Sequence, residues 1–214
     1  ERCDGHPLFA LQMLADWVQR GWLESTQEGL QLSRHASAKI PDNLHQLWLS
    51  KVLEIGESVG DYGAEIITCL GLLGRHIDDR EAAAIFAEHQ FEQGSLLVEV
   101  LLDRGLARRR HQGWAWIHGL LQESLMRYLS ESDRFVAANA LVASVLEKLY
   151  GLTGPESGRV ARFLLASNQP ERALEPLFDW VRQLITERRL IRARSALALS
   201  EDALDALDRG AGHP

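Results

Sequence analysis

The histidines are the side chains of this sequence best suited to proton transfer or metal binding at neutral pH, and their spacing argues against metal binding. They occupy positions 6, 35, 45, 76, 89, 111, 118 and 213. No two are separated by three residues, the spacing that puts two ligands on one helical face, so we predict no helical zinc site. Glu99, Asp103 and Glu123 lie within helical patterns, and we expect a solvated surface there rather than an acid–base pair.

The glycine-rich loops that hold nucleotide phosphates are also missing. The sequence contains no Gly-x-x-x-x-Gly-Lys-Ser/Thr phosphate loop and no Gly-x-Gly-x-x-Gly motif after a strand. We therefore predict that this chain has no catalytic residues, no metal and no cofactor of its own, and that it is not an enzyme by itself.

Composition places the chain among folded proteins. It has 214 residues, 46% hydrophobic and 25% charged, with a formal net charge of −7 that opposes non-specific attraction to polyanions. No stretch approaches the roughly 18 apolar residues of a membrane span, and no signal peptide is recognisable. Cys3 and Cys69 lack the spacing of a disulfide framework, which favours a cytoplasmic protein. Because the chain begins with Glu1 and not with Met, we expect a segment of a longer protein.

Apolar residues recur at helical spacing along most of the chain, and glycine or proline separates the segments. This pattern predicts helices over 7–20, 61–73, 119–129, 133–150, 158–167, 170–187 and 190–207, with others beginning after Asp42 and Asp78 and another closed by Gly105. Asp78-x-x-Glu81 has the form of a capping box, in which both side chains bind the first helical turn.

Two glycine-containing reversals interrupt the helices, at residues 27–29 and 111–113, and the first suits either a small hairpin or an irregular loop. The second follows a helix–turn–helix and predicts a β-hairpin wing, with one of Trp114 and Trp116 in the core and the other on the wing surface. The predicted fold class is mainly α: a helical bundle plus a winged helix-turn-helix with a small β-hairpin wing, followed by TPR-like antiparallel helices. We place the domain boundaries at 1–55, 56–130 and 131–214.

Two motifs about 110 residues apart resemble those of STAND-type P-loop ATPases, which include the NB-ARC, NACHT and bacterial AAA-like groups. Gly5-His6-Pro7-Leu8-Phe9 resembles the Gly-x-Pro-Leu motif that opens the first helix after the family's nucleotide-binding core. The segment 116–125, with His118, resembles the Met-His-Asp-like motif at the end of its winged-helix domain. The order of helices between and after the motifs also resembles that family, so the likeness covers nearly the whole chain.

The resemblance implies that Pro7 packs on the adenine, that Gly5 permits close backbone approach, and that His118 reaches the β-phosphate in a closed, ADP-bound form. Gly119 stands where the family often has Asp, which puts any carboxylate contact in doubt. ATP or ADP would be held by a P-loop core of the same polypeptide in the longer parent. This chain would then be the non-catalytic regulatory arm of a bacterial signalling switch, with protein partners on its C-terminal helices.

Each motif also has a simpler interpretation. The residues from Gly5 to Pro7 suit a helix start, and His118 suits a core histidine where a strand meets a helix. Two other functions stay open. A winged-helix DNA-binding module of a transcription regulator would use the positive residues 108–111, but the apolar and acidic segment 95–103 disfavours DNA reading. A helical-repeat interaction scaffold would use the tail, which lacks enough repeats to establish a period.

Overall fold

The computed structural model describes residues 11, 14–15, 17–18, 21–26, 29–32 and 44–211. Within them the protein is mainly α-helical, with nine helices between residues 44 and 211 and two small antiparallel sheets, which confirms the predicted fold class. The first sheet pairs β1 (Leu23–Thr26) with β2 (Gly29–Leu32), and Thr26 lies opposite Gly29. No helix of the described part is both long and apolar enough to cross a membrane.

The first two long helices meet at a close glycine contact. These are α1 (Leu44–Val59) and α2 (Gly63–Leu72). A Cβ atom added to Gly63 would lie 2.1 Å from the carbonyl oxygen of Gly56, so no larger residue fits at this reversal without moving the backbone. Glycine therefore sets how closely α1 and α2 approach each other.

The next five elements form the predicted winged helix. They are β3 (His76–Asp78), α3 (Asp79–Glu88), α4 (Gly94–Asp103), β4 (Ala107–Arg110) and β5 (Gly113–Trp116). The sheet has the order β3-β5-β4 with antiparallel pairing throughout, so β5 is central and the β4–β5 hairpin forms the wing. β3 is not among the predicted elements.

Five helices complete the described chain and follow one another through short connections. They are α5 (Gly119–Ser130), α6 (Phe135–Tyr150), α7 (Ser157–Ala166), α8 (Pro170–Thr186) and α9 (Leu190–Ala211). From α6 onward each helix packs against the next. The three-residue links before α8 and α9 contain Asn168 and Arg188 with φ near +57°, the left-handed conformation that ends a helix.

One hydrophobic core extends from Leu47 in α1 to Ala203 in α9. Trp114 and Trp116 are both buried in it, 1% and 0% exposed, with ring centroids 4.9 Å apart in an edge-on arrangement. The prediction that one of them lies on the wing surface is therefore wrong. Residues i and i+2 of a strand share a face, so both indoles point toward the core.

Candidate functional site

His118 lies where the central strand of the wing sheet meets α5. It follows β5 by two residues, has an extended backbone, and is the N-cap residue of α5, but its imidazole makes no capping hydrogen bond. The preceding residue, Ile117, is tied to the sheet by a backbone hydrogen bond to Leu106 at 2.9 Å. The sheet and the helix therefore hold the backbone of His118 from both sides.

The imidazole of His118 is half-buried against α1. Its ring centroid is 5.4 Å from that of Trp48, with the planes tilted by 49°. Trp48 is 2% exposed, and its indole nitrogen has no hydrogen-bond partner among the described residues. The imidazole of His118 thus packs against the indole of Trp48 and remains partly exposed to solvent.

The N-terminus of α5 combines a positive helix end with a carboxylate nearby. The first N–H groups of a helix have no partner within the helix and carry its positive dipole end. The first turn of α5 contains no acidic residue, but the carboxylate of Glu123, in the next turn, lies near this end and offsets part of its positive charge. A Cβ atom at Gly119 would meet only the Glu123 carboxylate, at 3.9 Å, so a ligand group or a larger side chain has space beside it.

The other two predicted nucleotide-contacting residues, Gly5 and Pro7, lie outside the described residues, so their placement relative to His118 stays a prediction. Glu99, Asp103 and Glu123 are exposed, as expected of a solvated surface. No cluster of three or more metal-ligating side chains occurs in the described part of the chain.

A serine and a histidine meet between α1 and the middle of α5 without forming a nucleophile. His45 Nδ1 lies 2.8 Å from Ser124 Oγ, although the two residues are 79 positions apart. The Ser124 hydroxyl donates its only proton to the carbonyl of Leu120 at 2.5 Å, so the imidazole is the donor in the His45–Ser124 contact. A general base would need the opposite arrangement.

The segment Gly56-Glu57-Ser58-Val59-Gly60 has the spelling of a nucleophile elbow, Gly-x-Ser-x-Gly. That motif needs a sharp strand-to-helix turn, whereas Ser58 lies in the last turn of α1. Its hydroxyl donates to the Ile55 carbonyl at 2.8 Å. The segment therefore matches the motif in sequence but not in the backbone geometry that catalysis requires.

The strongest buried polar cluster joins the winged helix to the tail. Glu81, in the first turn of α3, has a side chain only 3% exposed. Arg159 of α7 donates to both its carboxylate oxygens, at 2.8 and 3.0 Å, and Tyr150 of α6 donates to one of them at 2.9 Å. Arg159 also donates to Glu156 at 2.9 Å. Every oxygen of the buried carboxylate is thus paired.

The capping box is only half formed because Glu81 is used elsewhere. Asp78 caps α3 by accepting from the backbone N–H of Arg80 at 2.8 Å, and the Arg80 side chain lowers the pKa of Asp78 by hydrogen bonding to it. Glu81 turns toward Arg159 and Tyr150 instead. The prediction is confirmed for the aspartate and wrong for the glutamate.

Burial and hydrogen bonding set the ionisation of this cluster. Desolvation, followed by the hydrogen bond to Glu81, raises the pKa of Tyr150 to about 12. Burial alone lowers the pKa of Arg159, but its hydrogen bonds to Glu81 and Glu156 outweigh burial and raise the pKa above its ordinary value. A cavity of about 480 Å³, lined also by Asp78 and Arg110, opens beside the cluster. Because three arginines and three carboxylates line it, the cavity favours neither anions nor cations.

Neither His45–Ser124 nor Glu81–Arg159 is visible in the sequence, because no short-range pattern links residues 79 and 78 positions apart. No protein-family model matches the chain, and no curated protein or solved structure shows significant similarity to it.

Proposed function

We propose that this chain is the non-catalytic regulatory arm of an ATP/ADP-dependent signalling switch, and that it closes on a nucleotide held by a P-loop core elsewhere in the same polypeptide. The observation that carries the proposal is the position of His118. It is half-buried on Trp48, at the N-terminus of α5, with the imidazole free of any capping hydrogen bond. A histidine at the positive end of a helix is suited to donate to a phosphate oxygen.

The physical basis of such a switch is differential binding. A nucleotide that contacts both the core and the arm binds the closed arrangement more tightly than the open one, and its identity then sets the equilibrium between them. The arm needs only a few contacts for this purpose. The resemblance of segment 116–125 to the Met-His-Asp-like motif supports this assignment, as does the winged-helix order of the elements before it. A cytoplasmic location and protein partners for the C-terminal helices belong to the same proposal.

Calorimetric titration of the chain with ADP and ATP tests the division of labour. The arm offers His118 and the α5 N-terminus but no phosphate loop, so we expect no binding in the micromolar range. Micromolar affinity of this chain alone for either nucleotide would contradict the proposal.

The second test measures ADP release from a polypeptide in which a P-loop core precedes this chain. A hydrogen bond to a charged group contributes about 1.5–3 kcal/mol, so His118→Ala should accelerate release roughly 10- to 100-fold. His111→Ala is the matched control, because His111 is exposed in the β4–β5 turn. If both variants release ADP at the unmodified rate, His118 has no part in nucleotide retention.

DNA binding has weaker support than the nucleotide role. The outward side chains of α4, the helix that would enter the major groove, include Leu96, 50% exposed, and the acidic Glu99 and Asp103. In the wing, Arg109 is paired with Asp79 at 3.6 Å. A salt-dependent DNA shift assay decides the question, and tight sequence-dependent binding would favour this alternative.

A further inference from the structure

The last described helix, α9, buries small residues and exposes most of its large apolar ones. Its fully buried side chains are Ala193, Ala196, Ser200 and Ala203. Four of its six large apolar side chains are exposed, Leu190 by 67%, Ile191 by 87%, Leu197 by 42% and Leu204 by 42%, whereas Leu199 and Leu207 are half-buried. The hydrophobic effect favours burial of such large side chains, so this exposed face of α9, which packs chiefly against α8, is suited to covering by another surface.

Three of these leucines form one continuous stripe. Leu190, Leu197 and Leu204 recur every seven residues, and a heptad interval keeps side chains on one face of a helix. At 1.5 Å per residue the stripe is about 21 Å long. Arg194 and Glu201 fall four residues after the first and second leucine, so they lie along the same face. A partner that covers the leucines must also meet these two charges.

Basic residues lie near the start of α9, and acidic residues follow them. Arg192 and Arg194 are the first charged residues of the helix, every charged residue from 195 to 208 is acidic, and Arg209 comes after these. The first two arginines lie at the positive end of the helix, a position that the helix dipole disfavours. In an antiparallel helix with the same charge order, acidic side chains would lie beside these arginines. The negative end of its dipole would lie beside the positive end of α9.

We propose that α9 docks antiparallel on the α9 helix of a second copy of this chain. A two-fold axis beside Leu197 places Arg194 opposite Glu201 of the other copy and brings the Leu204 end over the Leu190–Ile191 end. The two-fold symmetry makes each charge pair occur twice, so two copies of the same helix can pair their opposite charges. This self-association is independent of the nucleotide role proposed above.

The size of the surface sets the strength of the dimer. One helical stripe on each side buries less than the roughly 1,200 Å² of a standard interface, so the association is weak, with a dissociation constant in the micromolar range or above. Because the charged pairs are exposed, added salt weakens it.

Sedimentation equilibrium of the chain over a concentration series tests the proposal. The expected result is a reversible monomer–dimer equilibrium that the double substitution Leu197→Ala/Leu204→Ala weakens by at least about tenfold. Leu96→Ala is the matched control, since Leu96 is equally exposed on α4, and it should leave the dimer unchanged. A chain that stays monomeric up to high micromolar concentrations overturns the proposal, and so does a dimer that the α9 substitutions leave unchanged.

Charge reversal tests the antiparallel register and the identity of the partner together. Arg194→Glu and Glu201→Arg should each weaken the homodimer, because like charges then face each other in both pairs. An equimolar mixture of the two variants should recover dimerisation, since each acidic face then meets a basic one. Both positions are exposed, so circular dichroism should show unchanged helix content. Failure of the mixture to recover the dimer would contradict the register.

Discussion

Replacing Arg159 by alanine should destabilise the protein far more than other arginine-to-alanine substitutions. It removes both hydrogen bonds that Arg159 makes to Glu81 and leaves a carboxylate whose side chain is 3% exposed with only the Tyr150 hydroxyl. Breaking a buried ion pair in this way costs about 3–5 kcal/mol. The Arg159 side chain is 35% exposed beside the cavity, so water can approach the carboxylate after truncation, and we expect about 3 kcal/mol, the lower end of that range.

A double-mutant cycle measures the coupling free energy between Glu81 and Arg159. Glu81→Gln leaves Arg159 paired with Glu156 and partly solvated, so it should cost less, about 1–2 kcal/mol. In the double variant no buried charge is left unpaired. We therefore expect a loss about 2 kcal/mol smaller than the sum of the two single losses.

Differential scanning calorimetry measures these losses. For a chain of this size, about 3 kcal/mol corresponds to a fall in melting temperature of roughly 6–12 °C. Arg127→Ala is the matched control, because Arg127 and Glu131 form an exposed pair at 3.2 Å with both side chains about two-thirds exposed. Such a pair contributes about 0–1 kcal/mol. If Arg159→Ala lowers the melting temperature no more than Arg127→Ala does, the burial argument is wrong.

Two further predictions concern the glycines and the buried thiol. Gly113 has φ +154°, and a Cβ atom there would lie 2.0 Å from a carbonyl oxygen of β3, so Gly113→Ala should lower the free energy of unfolding in urea by about 3 kcal/mol. Gly119→Ala, in an open helical position, should raise it by about 0.5 kcal/mol. Equal effects of the two substitutions would contradict the close approach at Gly113. Burial, and then the charge of Glu65, raise the pKa of Cys69 from 9.0 to about 12. The contribution of the protonated thiol to the free energy of unfolding is thus complete below pH 9 and is lost as the pH rises through 12. In a variant with Cys3 replaced by serine, a thiol reagent at pH 8 should label the chain only upon unfolding. Rapid labelling of the folded chain would contradict the burial.

Local patterns were sufficient to predict the helices after Asp42 and the wing, while the predicted helix 7–20 lies largely outside the described residues. Several segments end at a glycine in a left-handed conformation, such as Gly74 and Gly105 with φ of +108° and +65°. The hairpin before α1 and the β4–β5 wing both follow from a glycine-containing reversal between short extended stretches.

β3 had no comparable signal. It is three residues long, too short to show alternation, and it exists because His76 and Asp78 pair with Ala115 and Gly113 on β5, more than thirty residues later. The outward-facing leucines of α9 were equally hidden, since a helical pattern does not show which apolar flank the neighbouring helix covers.

The contacts around the candidate site could not be predicted because their partners lie far apart in the sequence, not because their residue types are unusual. His118 was recognisable because the strand before it and the helix after it are both local patterns. Its aromatic neighbour Trp48 lies seventy positions earlier, and the partner of Glu81 lies 78 positions later. Contacts of this kind depend on how whole helices pack, which no window of a single sequence records.

The wing sheet physically joins the candidate nucleotide-facing site to the tail. His118 follows β5, β5 is hydrogen-bonded to β3, and β3 continues into α3 at Asp79 without a loop. Two residues later Glu81 binds Arg159 of α7. Separating α3 from α7 would break both hydrogen bonds between Arg159 and Glu81, and hydrogen bonds between ionised groups are stronger than those between neutral ones. On the proposed function, a nucleotide that acts on this arm through His118 should therefore move the winged helix and α7 together.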